Sequence, residues 1–267
     1  MSRIDDTFAR LKRSGRGGLI PFITAGDPDL KTTELLLIEL AKAGADIIEL
    51  GVPFSDPVAD GTVIQRASER ALEKGVSLSD IFLCISQAKK RIDVPIVLFS
   101  YLNPLLRFGK DRLADQAIRA GVDAVLITDL TLEEAAPWVA TFRARGMDLV
   151  FLIAPTTSDK RLALIAQQAS GFIYVVSRTG VTGERHEMPR DAESLVKRVR
   201  AVSDLPIAVG FGISTAQQIQ RVWRFADAAV IGSAIVRKIE ELKGAPDLVP
   251  RLGEFARSFV KSRFADR

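Results

Sequence analysis

Short apolar runs alternate along this chain with longer segments in which apolar residues recur at a 3.6-residue period. The runs fall at residues 19–24, 46–51, 95–100, 123–128, 148–153, 172–176, 206–210 and 228–231, eight in all. Near-continuous apolar runs of this length suit strands buried on both faces, as in a parallel sheet covered by helices. Each interval leaves room for one helix. Leu35, Leu36, Ile38, Glu39, Leu40 and Ala43 carry the helical period in the first, and Trp138, Val139 and Phe142 carry it in the fourth. Three strands follow the same signal: Ala43-Gly44-Ala45-Asp46, Ala120-Gly121-Val122-Asp123 and Arg145-Gly146-Met147-Asp148. In each, glycine suits the left-handed turn that ends a helix, and the strand starts two residues later.

Eight strand-helix units predict an α/β fold with a closed parallel sheet. An open doubly wound sheet usually has fewer strands and an early Gly-x-Gly-x-x-Gly turn, which is absent. The expectation is a single-domain (β/α)8 TIM barrel over residues 1–267. It has an extra N-terminal helix carrying Ile4, Phe8 and Leu11 and long loops after strands 2 and 6, at residues 52–62 and 177–189. Loops that follow barrel strands form the active-site face, so long ones are candidate substrate loops and lids.

Composition narrows the chemistry. With 267 residues, 47% hydrophobic and 26% charged, the chain has material for a full core and is not disordered. No apolar run reaches the roughly 18 residues of a membrane span, and the first residues lack a signal-peptide core, so a cytoplasmic protein is expected. The net charge of +4 comes from dispersed Lys and Arg rather than one basic stripe, which argues against nucleic acid as a partner. One histidine, His186, and one cysteine, Cys84, exclude a Cys/His metal cluster, an internal disulfide and a Cys-x-x-Cys redox pair. His186 lies in the polar segment Glu184-Arg185-His186-Glu187, which suits a solvated side chain. Cys84 lies in an apolar stretch, where a thiol packs as a small hydrophobe. Proton transfer is left to carboxylates.

Strand 2 reads Ile47-Ile48-Glu49-Leu50-Gly51. With a two-residue period, Ile48 and Leu50 face the helices while Ile47, Glu49 and Gly51 face the barrel interior near its mouth. Glu49 is there either as a structural glutamate or as a general acid/base whose pKa is raised by apolar walls. In the next loop, Asp56 precedes Pro57 and Asp60 precedes Gly61, so each reads equally as a turn former or as a second carboxylate. Asp129, after strand 4, is a third candidate. Glycines follow three consecutive strands, in Gly180-Val181-Thr182-Gly183, Gly210-Phe211-Gly212-Ile213-Ser214 and Ile231-Gly232-Ser233-Ala234. Backbone N–H groups at these strand ends form the recurrent phosphate site of the fold, so a phosphorylated substrate is expected. Phe22, Tyr101, Tyr174 and Phe211 at the same end serve either substrate recognition or packing.

These residues carry a resemblance over nearly the whole chain. The segments Phe22-Ile23-Thr24-Ala25-Gly26-Asp27-Pro28, Glu49-Leu50-Gly51-Val52-Pro53-Phe54-Ser55-Asp56-Pro57-Val58-Ala59-Asp60-Gly61, Ser177-Arg178-Thr179-Gly180-Val181-Thr182-Gly183 and Gly210-Phe211-Gly212-Ile213-Ser214 resemble the tryptophan synthase alpha chain. The resemblance implies a retro-aldol lyase of tryptophan biosynthesis that cleaves indole-3-glycerol phosphate to indole and glyceraldehyde 3-phosphate. It implies Glu49 as the general acid/base and Asp60 as the carboxylate that accepts the indole N–H. By the same resemblance Gly183, Gly212, Gly232 and Ser233 bind phosphate, Phe22, Tyr174 and Phe211 line the indole pocket, and Thr182 positions Asp60. Tyr101 joins them as a substrate-binding candidate. No metal or cofactor is implied on this chain. The implied partner is a beta chain carrying pyridoxal phosphate, in an alpha2beta2 heterotetramer, docked on residues 53–56, 101–104 and 129–132. This chain departs from the family at Thr62, Thr131 and Leu132, where common members differ, which touches loop rigidity and the partner contact rather than the proton-transfer groups.

Alternatives remain on sequence grounds: a standalone indole-releasing lyase, a non-catalytic activator of a beta chain, or another phosphosugar barrel. Within the last group, indole-glycerol-phosphate synthase uses a strand-borne lysine, and none of the eight runs contains one.

Overall fold

A computed structural model describes residues 1–176, 190–210 and 212–260. The strands are β1 (Gly18–Thr24), β2 (Ile48–Gly51), β3 (Ile96–Ser100), β4 (Ala124–Ile127), β5 (Asp148–Ile153), β6 (Ile173–Val176), β7 (Ile207–Gly210) and β8 (Ala228–Ile231). The helices before β4 are α1 (Arg3–Arg13), α2 (Leu30–Lys42), α3 (Thr62–Glu73), α4 (Leu78–Lys89), α5 (Leu102–Phe108) and α6 (Lys110–Ala120). After β4 come α7 (Ala136–Arg143), α8 (Asp159–Gln168), α9 (Arg190–Arg200), α10 (Ala216–Val222), α11 (Ser233–Leu242) and α12 (Leu248–Val260). The strands pair in parallel in chain order and close as a barrel, with Gly18 to Pro21 of β1 in register with Ala228 to Ile231 of β8.

The expectation of one helix per interval needs correction: β2, β3 and β8 are each followed by two. The pair after β3 is divided at Gly109, whose φ of 93° is a conformation that other residues rarely adopt. The glycine of the strand-starting signal behaves as expected at Gly121, which ends α6 in the left-handed region (φ 92°), while β2 and β4 start one or two residues later than expected and β5 starts at Asp148 as expected. The aspartates within and beyond that signal have a further task. Asp46 and Asp123, just before β2 and β4, accept the Leu19 and Ile96 N–H groups at 2.8 Å, and Asp227, before β8, accepts that of Ile207 at 2.7 Å. Each ties the start of its strand to the neighbouring strand where the sheet ladder has not yet begun.

Two apolar layers result. The outward strand residues, such as Ile23, Ile48, Leu50 and Leu98, pack with the helices. Inside the barrel lie Ile20, Phe22, Ile47, Val97, Phe99, Leu126, Val150, Phe172, Tyr174 and Val230. Ile4, Phe8 and Leu11 of α1 join this inner cluster, with the Phe8 and Phe172 ring centroids 5.8 Å apart. Helix α1, started by a Ser2–Asp5 capping box, thereby stoppers the N-terminal end of the barrel. Cys84 is buried on α4, its thiol directed to the Leu30 carbonyl at 3.4 Å, and burial raises it to about 12. No helix among the described residues is long and apolar enough to cross a membrane.

Phe8→Ala should destabilise the chain by about 3–5 kcal/mol, the range for deleting a buried aromatic side chain. Urea unfolding measures this; a loss under about 1 kcal/mol would mean that α1 is not part of the barrel's core.

Candidate active site

Glu49 sits in register between Phe22 of β1 and Val97 of β3, so the strand residues beside it are apolar. It is 1% exposed, lines the barrel's cavity, and its Oε1 has no hydrogen-bond partner. Burial without a compensating bond penalises the ionised form and raises the carboxyl from 4.5 to about 8. Near neutral pH it is mostly protonated.

Asp60 reaches the same cavity from the loop after β2. Its N–H donates to the Pro57 carbonyl at 2.9 Å, and the Gln65 side chain donates to its carbonyl at 2.9 Å, fixing the chain just before α3. The Tyr101 hydroxyl donates to Asp60 Oδ2 at 3.1 Å and accepts the Ala59 N–H at 3.0 Å. Asp60 is 7% exposed; burial raises it from 3.8 to about 6, and the Tyr101 bond opposes the shift. Near neutral pH, Asp60 is therefore mainly ionised while Glu49 is mainly neutral. Two carboxyl groups separated in this way can act as acceptor and donor in one pocket.

The cavity holds roughly 430 Å³ including its open mouth, and Phe22, Ile64, Phe99, Tyr174, Gly212, Ile213, Val230, Gly232 and Ser233 complete its lining. Phe22 and Phe99 meet edge to face at 5.3 Å. The rings of Phe22 and Tyr174 lie close over strand ends because those ends are glycine. A Cβ on Gly51 would come within 2.5 Å of the Phe22 ring, and one on Gly210 within 2.0 Å of the Tyr174 oxygen. Burial, with the two carboxylates nearby, pushes the Tyr174 phenol up, so it stays protonated. Gly232 is the N-cap of α11 and Ser233 its first residue. No side chain caps that terminus, which leaves backbone donors suited to an anion.

Seven of the sequence candidates thus share one cavity: Phe22, Glu49, Asp60, Tyr174, Gly212, Gly232 and Ser233. Tyr101 does not line it but reaches it through Asp60, with its ring 5.1 Å from that of Phe54. Thr182, Gly183, His186 and Phe211 lie outside the described residues. The other two carboxylate candidates are used elsewhere. Asp56 is exposed and accepts the Ser55 hydroxyl at 2.6 Å, and Asp129 accepts the Leu102 N–H at 2.7 Å at the start of α5. Phe99 and Val230 were missed, although the two-residue alternation of β3 and β8 sends them inward. Ile64, one turn into α3, had no such signal.

A closed (β/α)8 barrel with a buried carboxyl pair at the C-terminal mouth of its strands is the arrangement of a barrel enzyme, because that face is where the fold carries its active sites. Comparison with known proteins makes the class specific. The sequence profile of the tryptophan synthase alpha chain matches residues 8–262. The tryptophan synthase alpha chain of Citrifermentans bemidjiense is 51% identical over 255 residues, covering 96% of this chain and 95% of that one. The crystal structure of subunit alpha from Legionella pneumophila str. Paris superposes with a TM-score of 0.90 at 37% identity over 98% of both chains. A chain of the Pyrococcus furiosus a2b2 complex superposes at 0.86 with 37% identity, covering 92% of this chain and 98% of that one. The chain belongs to the tryptophan synthase alpha chain family, the indole-3-glycerol-phosphate lyase subunit of tryptophan biosynthesis.

The Glu49 shift has a sign that stability measures. Its folded value lies above its unfolded value of 4.5, so the folded chain binds the extra proton, and stability falls as pH rises from 4.5 through about 8. Glu49→Gln lacks this loss, so the gap between its thermal midpoint and that of the wild type should widen in its favour from pH 5 to about pH 9. Parallel curves would show that Glu49 is not shifted.

Proposed function

We propose that this chain cleaves indole-3-glycerol phosphate with Glu49 as general acid/base and Asp60 as the partner of the indole ring. The observation that carries the reading is the burial of Glu49 and Asp60 in one largely apolar cavity, where burial raises Glu49 to about 8 and Asp60 to about 6. Retro-aldol cleavage must add a proton to indole carbon 3 and remove one from the glycerol hydroxyl as the aldehyde forms. Glu49 in its acid form supplies the first proton, and its conjugate base accepts the second. Protonation at carbon 3 places positive charge on the indole ring, and Asp60 stabilises it by accepting the N–H hydrogen bond in a poorly hydrated site. Phe22 and Tyr174 hold the ring, and Tyr101 holds Asp60. Gly212, Gly232 and Ser233 receive the phosphate at the start of α11, joined by Gly183, while Phe211 joins the indole pocket and Thr182 positions Asp60.

The partner is a beta chain carrying pyridoxal phosphate, in an alpha2beta2 complex within the cytoplasm. Supporting this, a groove on the loop face is lined by Val52, Pro53, Phe54, Ser55, Asn103 and Pro104 among others, which joins two of the three expected docking segments. In the third segment Leu132 is buried and the Thr131 hydroxyl donates to Glu134 at 2.9 Å.

Indole release from purified protein is the test. Glu49→Gln should lower kcat by at least about 1000-fold with substrate affinity nearly kept, since it removes the proton and retains the shape. Turnover near wild type would reject the assignment. Ser233→Asp should raise KM about tenfold or more with a smaller effect on kcat, by placing an anion beside an anion; an unchanged KM would move the phosphate elsewhere. Adding the beta chain should speed release, and equal rates with and without it would favour a standalone lyase.

A further inference from the structure

Four charged side chains outside the cavity join the segments on which its two ends are built. Arg70 of α3 makes a two-pronged contact with Asp27, in the loop after β1, with Nε to Oδ1 and Nη2 to Oδ2 both at 2.8 Å. Its remaining nitrogen, Nη1, donates to Glu240 Oε1 of α11 at 2.7 Å. Arg66, one turn earlier on α3, grips the same carboxylate with bonds of 2.8 and 2.7 Å. Asp27 and Arg70 are only 2% and 15% exposed, so this part of the chain is shielded from salt and water. The hydrogen bond from Arg66, the largest cause, holds Glu240 down to about 2.

The placement matters more than the number of bonds. Helix α3 begins at Thr62, directly after Asp60 and Gly61, while α11 begins at Ser233, directly after Gly232. Asp60 and Ser233 line the same cavity. Helices α3 and α11 pack on one another and on β1, and the charged chain fastens them within their second and third turns. A rigid helix carries a fixed point in its body to its first turn. The Arg66–Glu240–Arg70 contact therefore adds to the packing of the two helices a polar link that bears on the separation of their N-termini, with Asp27 anchoring Arg70 to the loop after β1.

We propose that Asp27, Arg66, Arg70 and Glu240 form a spacer that sets the distance between the indole end and the phosphate end of the cavity. The proposal rests on the functional reading above, in which Asp60 meets indole and Ser233 meets phosphate. These are positioning residues; none touches substrate. A ligand with both groups on one chain must satisfy the two ends at once, whereas separate fragments need only one each. The spacer therefore matters to the linked ligand and not to its halves. A merely stabilising salt-bridge network would affect all three alike or none.

The test uses the full chain and three probes: an indole joined to phosphate through a propyl chain, indole alone, and glycerol 3-phosphate alone. Calorimetry measures the first and ligand-observed NMR the other two. Glu240→Gln preserves shape and leaves the Arg70–Asp27 contact in place. It should weaken the linked ligand about tenfold while each fragment changes by less than about twofold. Arg66→Gln, at the exposed end of the chain, should act in the same direction with a smaller effect and serves if Glu240→Gln does not fold. Unchanged affinity for the linked ligand, or an equal loss for all three probes, would overturn the spacer. Wild-type protein that binds neither the linked ligand nor its fragments would overturn the functional reading and the spacer with it.

Discussion

A carboxyl group among apolar side chains is costly to ionise, and this cost at Glu49 is the constraint on which the site depends. The group carries no hydrogen-bond partner on Oε1, and its register neighbours are Phe22 and Val97. A carboxylate on the surface would be ionised at neutral pH and have no proton to give. Asp60 is buried less completely and accepts a hydrogen bond from Tyr101, and it stays near 6. The contrast between the two groups comes from their surroundings, since their chemistry is the same.

The barrel makes those surroundings. Closure leaves no sheet edge, and α1 fills the N-terminal end with Ile4, Phe8 and Leu11, so the interior beneath Glu49 is packed. Glycines 51 and 210 let the Phe22 and Tyr174 rings lie over the strand ends and narrow the cavity above. Outside, Asp27, Arg70, Arg66 and Glu240 fasten α3, which begins two residues after Asp60, to α11, which begins at Ser233. Each layer constrains the next, from strand register through packing to proton affinity.

Much of this was legible in the chain because it follows from local periodicity. Alternation on β2 sent Glu49 inward, and the apolar runs marked all eight strands to within two residues at either end. Features that depend on distant partners were not legible. By spacing alone Asp60 and Asp56 have equal standing as turn residues and the family resemblance singles out Asp60, but the Tyr101 contact to one and the exposure of the other come only from the fold. Asp129 matched the rim by position, yet it serves the start of α5. The aspartates just before β2, β4 and β8 use their carboxylates to accept N–H groups from neighbouring strands, a pairing that no local pattern shows. Ile64 enters the cavity through packing and gave no signal, whereas the alternation of β3 already sends Phe99 inward.

The central claim is that Glu49 keeps its proton at neutral pH. A carbon-13 NMR titration of the glutamate side-chain carboxyl signals, with the Glu49 resonance assigned by its absence in Glu49→Gln, measures this directly. The account predicts a titration midpoint near 8 in the free chain. A midpoint near the ordinary glutamate value of 4.5 would contradict it.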